Sequence, residues 1–201
     1  WRHPDAHAPA GTDIGHFIEL ARIAERGKFD MLFVEDAAAI RERDPEMASQ
    51  AARSTSFEPL SLLSAIAVHT RHIGLVATAS TTYNDPYELA RVFSTIDLLS
   101  NGRAGWNLVT SASDLEAANF ASSGLRPHSE RYERAEEFAD IALGLWAAAS
   151  HGAPAFSRHG KHFSVDRPLD VPASPQGRPV MVQAGASDVG KELAARTADV
   201  V

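Results

Sequence analysis

Four short apolar runs rich in β-forming residues punctuate the chain: Phe29 to Val34, Ile73 to Thr78, Ala104 to Val109 and Val180 to Gln183. Each is followed by a polar or small-residue turn, the pattern of a buried strand and its exit. Between them the apolar positions fall at helical spacing. Ile14, Phe17, Ile18, Ala21 and Ile23 line one side of a predicted helix for which Gly27 supplies the stop signal. A second helix is predicted from Glu58, carrying Leu60, Leu63, Ile66 and Ala67. The third is the best marked: Asp85 can cap it, Pro86 occupies the first helical position, Glu88 completes a capping-box pattern and Gly102 follows the end. Its positions Leu89, Val92, Phe93, Ile96 and Leu99 keep one face apolar. Glu130 to Ala148 reads as a long helix and Gly190 to Ala198 as a shorter one. Strands alternating with helices at this spacing imply βαβ units and a parallel α/β sheet, either closed into a barrel or left open. A Gly-, Pro- and His-rich excursion at about 150–177 interrupts the alternation and reads as an active-site lid or a solvated insertion. No low-complexity linker marks a boundary, so residues 1–201 are expected to form a single α/β domain.

Composition narrows the function. The 201 residues are 44% hydrophobic and 22% charged, enough apolar material for one substantial core. A net charge of -7 argues against nucleic acid as principal partner, while leaving room for a small anion at one locally basic site. The absence of cysteine removes disulfides, thiolate metal sites and a cysteine nucleophile, and fits a cytoplasmic enzyme. No apolar run approaches membrane-spanning length, so no membrane association is expected. Trp1 opens as a loop already under way, and the closing TADVV reads as a helix end entering a new strand, so the sequence is expected to be a segment of a longer protein.

Candidate chemistry collects where strands end. The segment SPQGRPVMVQAGAS (Ser174 to Ser187) reads as a turn, a short strand and a small-residue elbow feeding a helix, whose N-terminal N–H groups suit an anion. Asp36, Thr78, Ser80, Asn107 and Gln183 to Ser187 are the polar residues at the four strand ends. Trp106, one residue from Asn107, must face the other side of its strand and is expected in the core. Two histidine pairs, His69/His72 and His159/His162, lack the helical HExxH context, so no metal site is expected. Neither a GxSxG elbow nor a GxGxxG turn is present, which excludes the corresponding hydrolase and dinucleotide-binding folds.

GRAGWNLVTS (Gly102 to Ser111), then HSERYERAEEF, then SPQGRPVMVQAGAS stand in one order along the chain, together with FDMLFVED, IGLVATASTTYNDPYELAR and AARTADVV. On these motifs the chain resembles the bacterial-luciferase-like flavin monooxygenases, within them the nitrilotriacetate and dibenzothiophene-sulfone monooxygenase branch. The resemblance implies a luciferase-like (β/α)8 TIM barrel, of which this chain would carry about strands 2 to 5. It implies reduced FMN supplied by a separate NAD(P)H:flavin reductase, O2 as co-substrate, a flavin hydroperoxide as oxidant, a small organic substrate, and a homo-oligomer. Carried over residue by residue, the flavin contacts fall on Asp36, Thr78, Ser80 and Asn107, and the phosphate contacts on His128, Tyr132 and Ser187, with Gly185 and Ala186 allowing close backbone approach. His128 and Tyr132 are four apart at a helix start, so both can face one phosphate. Tyr83 is a candidate for the substrate cavity, and no catalytic residue is assigned. Two positions depart from the family pattern: Glu35 before Asp36, and Arg167 in DRPL. A deazaflavin-dependent oxidoreductase of the same barrel, or a non-catalytic module docking through its open sheet edges, are the competing readings.

Overall fold

A computed structural model of the chain describes residues 3, 5–7, 10–40, 42–50, 55–120, 124–152 and 155–201. In chain order the elements are a 3₁₀ turn (Ala10–Thr12), α1 (Ile14–Arg26), β1 (Met31–Val34), α2 (Pro45–Gln50), α3 (Pro59–Ala67), β2 (Gly74–Ser80), α4 (Pro86–Leu99), β3 (Ala104–Val109), α5 (Asp114–Asn119), α6 (His128–Ser150), β4 (Arg158–His159), β5 (Ser164–Val165), β6 (Val180–Val182) and α7 (Asp188–Thr197). The main sheet is parallel throughout, in the order β1-β2-β3-β6.

Side-chain alternation divides the sheet into two chemically different faces. Leu75, Ala77 and Ala79 of β2, Trp106 and Leu108 of β3 and Met181 of β6 turn to the helices, where they form one core with Leu63, Ile66, Phe93, Phe138, Leu145 and Trp146. Trp106 is fully buried there, donates from Nε1 to the Ala79 carbonyl at 3.0 Å and packs against Phe93, Phe138 and Trp146. The other face carries Val76, Thr78 and Ser80 beside Gly105, Asn107 and Val109, in the register Thr78↔Asn107↔Val182. Past β6 the sheet is already being extended. Val182 bridges Val200 in parallel, and Gln183 donates its N–H to the Val200 carbonyl at 3.1 Å, as the TADVV pattern predicted.

Ion pairs and hydrogen bonds pin the N-terminal ends of the strands. Glu25 accepts the N–H groups of Arg71, His72 and Ile73 just ahead of β2, at 2.8, 2.6 and 3.1 Å. Burial alone would raise its carboxyl, but the three backbone donors outweigh this and hold it down at about 2. Arg103, ahead of β3, donates to Thr70 Oγ1 and to the carbonyls of Ala67, Thr70, Ile73 and Ser100, closing the end of α3. Asp97 accepts from Ala104 N–H at 2.9 Å, from Gln176 Nε2 and from Ser174 Oγ. Arg178 and Asp199 pair twofold below β6, at 2.7 and 2.8 Å.

Gly27 (φ -75) caps α1 where the pattern places its stop, with its N–H on the Ile23 carbonyl, and the left-handed residue follows at Lys28 (φ 62). Two local expectations change. β1 starts at Met31, and Phe29 stays 67% exposed. Asp85 does cap α4 through the N–H groups of Tyr87 and Glu88, but the Glu88 carboxylate turns to Arg91 at 3.7 Å instead of reaching back. The 150–177 excursion forms the β4–β5 hairpin and sits on the outer helices. Glu137 of α6 accepts the N–H groups of Lys161, His162 and Phe163, Phe163 packs edge-on to Phe138, and Tyr87 and Arg91 of α4 bond Pro168 and Asp170. None of its described residues lines a cavity at the strand ends. Among the described residues no helix is long and apolar enough to cross a membrane.

Candidate functional site

The C-terminal ends of β1, β2 and β3 open into a cleft of about 460 Å³. Asp36 lines it after β1, Thr78 and Ser80 at the end of β2, Tyr83 in the next turn, and Ser111 and Glu116 beyond β3. The walls are cross-braced. Ser80 and Ser111 share a hydrogen bond at 2.8 Å, Ser111 N–H donates to Thr82 Oγ1, and Glu116 accepts from Ala38 N–H at 3.2 Å. Beside them Asn107 donates from Nδ2 to Thr78 Oγ1 at 2.9 Å, while its Oδ1 is buried with no partner. A buried amide oxygen left unpaired costs about 1–3 kcal/mol, so this one is held ready for a donor.

A second group gathers at the end of β6. His128 and Tyr132 bring their ring centroids to 4.7 Å, with the planes tilted by 43°, on the first turns of α6, and Ser187 Oγ donates to Tyr132 Oη at 3.3 Å. Ser187 also caps α7, accepting from Gly190 N–H at 3.1 Å. Gly185 and Gly190 meet face to face beneath these hydroxyls. A Cβ on Gly190 would lie 3.0 Å from both Tyr132 Oη and Ser187 Oγ, and one on Gly185 would lie 3.4 Å from Gly190 Cα. Ala186 is exposed on the same elbow. The expected residues therefore fall into two clusters at the same edge of the sheet: Asp36, Thr78, Ser80, Tyr83 and Asn107 in one, His128, Tyr132, Gly185 and Ser187 in the other. Glu35 and Arg167 are both exposed. The histidine pairs are engaged separately: His69 contacts Arg22, His159 pairs with Asp166 at 3.0 Å, and His162 lies 3.8 Å from Glu133.

Sequence reasoning missed Ser111, Glu116 and, above all, the arginines of α6 and its approach. Tyr83 stacks on Phe120 at 4.2 Å with the planes 3° apart, and its hydroxyl is buried without a partner. Burial, reinforced by Glu116, raises its pKa, so it is a proton donor across the physiological range. Arg126 and Arg134 lie on the far side of this aromatic pair.

A family model described as luciferase-like monooxygenase matches residues 1–201. The chain belongs to that family. Nitrilotriacetate monooxygenase component A of Aminobacter aminovorans is 47% identical over all of this chain and 49% of its own length. Dibenzothiophene-sulfone monooxygenase of Rhodococcus erythropolis is 39% identical, again over all of this chain and 49% of its own length. Both stand on the branch that the motifs indicated. Among solved structures, EDTA monooxygenase from Chelativorans sp. BNC1 superposes with a TM-score of 0.90 at 36% identity, covering all of this chain and 51% of that one. The parallel sheet and its helices are thus a portion of the luciferase-like α/β barrel, and the chain spans about half the length of the relatives it matches.

Proposed function

We propose that this chain is the flavin-holding part of a two-component monooxygenase that takes reduced FMN from a separate NAD(P)H:flavin reductase and uses O2 to oxygenate a small organic substrate. The observation that carries this reading is the pairing of an orphaned Asn107 Oδ1 beside a strand-end cleft with a hydroxyl-lined glycine cradle at the same edge of the sheet. Both features fit FMN. Its ring system offers N–H donors that an unpartnered amide oxygen would accept, and its phosphate wants several neutral or cationic donors where the backbone can come close.

In the proposed site Tyr132, Ser187 and His128 bind the phosphate, with Gly185 and Gly190 keeping the space that any side chain would fill. The first N–H groups of α7 add the favourable end of the helix dipole. Asn107, fixed by Thr78, orients the ring edge, and Asp36 and Ser80 complete the polar wall of the cleft. Bound there, reduced FMN supplies the electrons for oxygen chemistry. The chain's own task is to orient the flavin and to limit water through the Tyr83–Phe120 wall. A homo-oligomeric, cytoplasmic enzyme is part of the same proposal. Relatives named for nitrilotriacetate and for dibenzothiophene sulfone act, by their names, on different molecules, so no substrate is carried over.

The test is FMN affinity in the full-length protein, read by flavin fluorescence quenching. His128→Ala combined with Ser187→Ala should weaken FMN by about 100-fold, the loss of two charge-assisted hydrogen bonds. Unchanged affinity would remove the phosphate assignment. Oxygen uptake with reduced FMN and a reductase separates this reading from hydride transfer to a deazaflavin, which would leave oxygen unconsumed.

A further inference from the structure

Next to the cleft is a second cavity of about 290 Å³, lined by Thr82, Tyr83, Phe120, Gly124, Arg126 and Arg134. The stacked Tyr83–Phe120 pair belongs to both cavities and forms the partition between them. We propose that this second cavity holds the carboxylate of an organic acid substrate, whose remaining carbon skeleton runs along the aromatic partition into the cleft. The proposal rests on the flavin reading above for the oxidant, and on the following observations for the anion.

Two arginines line this cavity, and buried donors in its wall lack hydrogen-bond acceptors. Arg126 pairs with Glu130 at 2.5 Å. Arg134 makes no ion pair among the described residues: Nη2 reaches the Asn84 carbonyl at 3.3 Å, the guanidinium lies over the Phe163 ring at 4.0 Å, and Nε is buried without a partner. Arg131, only 9% exposed, donates from Nη1 to the Arg126 carbonyl at 2.7 Å, and its Nε is likewise orphaned. Tyr83 Oη is the third buried donor with nothing to bond. Burial, and then the charge of Arg126, lower the pKa of Arg134 and outweigh the opposing pull of Asp85 and Glu137. Buried guanidinium N–H groups without acceptors are costly, and an incoming carboxylate removes that cost by accepting from Arg and Tyr together.

The flavin phosphate does not account for the pocket. At 3.6 residues per turn, Arg134 stands roughly 200° around α6 from Tyr132, so the two side chains serve opposite sides of the helix. The aromatic partition favours an organic anion over an inorganic one, since a ligand filling both cavities must cover the faces of Tyr83 and Phe120.

The test uses the full-length protein with benzoate, benzamide and inorganic phosphate as probes, titrated by calorimetry with and without FMN. Benzoate should bind at least about tenfold more tightly than isosteric benzamide, and Arg134→Gln or Arg126→Gln should erase that preference while leaving FMN affinity within about twofold. Tyr83→Phe should weaken benzoate by about three- to tenfold. In the unmutated protein, rising salt should weaken benzoate and spare benzamide, a measurement that needs no variant to fold. Equal binding of benzoate and benzamide, or indifference of benzoate to either arginine, overturns the proposal. So does inorganic phosphate outcompeting benzoate, or loss of FMN affinity in the arginine variants, because the pocket would then serve phosphate. If FMN fails to bind the unmutated protein while benzoate binds as described, the flavin reading falls and the anion site stands.

Discussion

Gly190→Ala probes the proposed phosphate cradle with a single methyl group. Gly190 is the third residue of α7, with its N–H bonded to the Ser187 side chain at 3.1 Å, and its φ is helical, so alanine meets no backbone strain. Two effects on stability oppose one another. Alanine is the better helix former by about 1 kcal/mol. Against this, the new Cβ lies 3.0 Å from Tyr132 Oη and Ser187 Oγ, so both hydroxyls must retreat by a few tenths of an ångström. Crowding of that size costs on the order of 1 kcal/mol, and the unliganded protein should therefore unfold within about 1 kcal/mol of its parent. Ligand binding has no such compensation. The methyl fills the space before the two hydroxyls and displaces them, and one charge-assisted hydrogen bond lost is about 1.5–3 kcal/mol, or roughly 10- to 100-fold in affinity. Riboflavin, which lacks the phosphate, is the internal control. Fluorescence titration of the full-length protein should show FMN weakened by this factor and riboflavin unchanged, with thermal unfolding verifying the fold. Equal losses for FMN and riboflavin, or an intact variant that binds FMN as before, would refute the cradle.

Two further predictions concern the opposite end of the sheet. Glu25, held at about 2 against an ordinary value of 4.5, contributes stability that is fully present above pH 4.5 and is lost as the pH falls toward 2. The displacement corresponds to about 3 kcal/mol at most, and solvent access to the carboxylate brings the expectation to about 1–2 kcal/mol. Glu25→Gln should lose that amount at neutral pH and flatten the acid limb of urea-unfolding curves between those values; an unchanged limb would show that the three backbone bonds do not set it. Asp97 behaves with the opposite sign. Burial raises its carboxyl above 3.8 despite the bonds from Ser174, Ala104 and Gln176, so its contribution declines as pH rises through the window above 3.8. Asp97→Asn keeps an acceptor for Ala104 N–H and should remove this decline while staying within about 1 kcal/mol of the parent at low pH. Persistence of the decline in the variant would place its origin elsewhere.

Long elements with strong periodicity were legible in the sequence because burial on one side dictates them. α4 and β3 end within a residue of where their pattern places them, and Trp106 is core because alternation leaves it no other face. Short elements carry too few residues for a period to show, hence the missed α2, α5 and β4–β5 hairpin. Among site residues, Thr78, Ser80 and Asn107 could be read because they are polar interruptions of apolar runs. The arginines could not be read as easily, since RYERAEEF looks like a solvated helical face. One signal was present. Arg131 closes the first turn of α6, where the positive end of the helix dipole disfavours a cation, and a local anion is one way to relieve that conflict.

The same contrast runs across the whole sheet and gives it a direction. At the N-terminal ends of the strands the charged groups are bonded: Glu25 by three N–H groups, Arg103 by carbonyls and a hydroxyl, Asp97 by Ser174, Gln176 and Ala104, Arg178 by Asp199. At the other end, among the described residues, lie four of the five buried side-chain atoms without partners: Tyr83 Oη, Asn107 Oδ1, Arg131 Nε and Arg134 Nε, with His162 Nε2 under the hairpin as the fifth. Orphaned buried groups cost free energy, and a fold that satisfies its polar groups so completely at one edge has the means to satisfy them at the other. On the proposed readings, the partners for this edge, where barrel chemistry belongs, are ligand atoms: a ring donor for Asn107 and an oxyanion for Arg134 and Tyr83. Stability is then invested at one edge of the sheet and binding at the other.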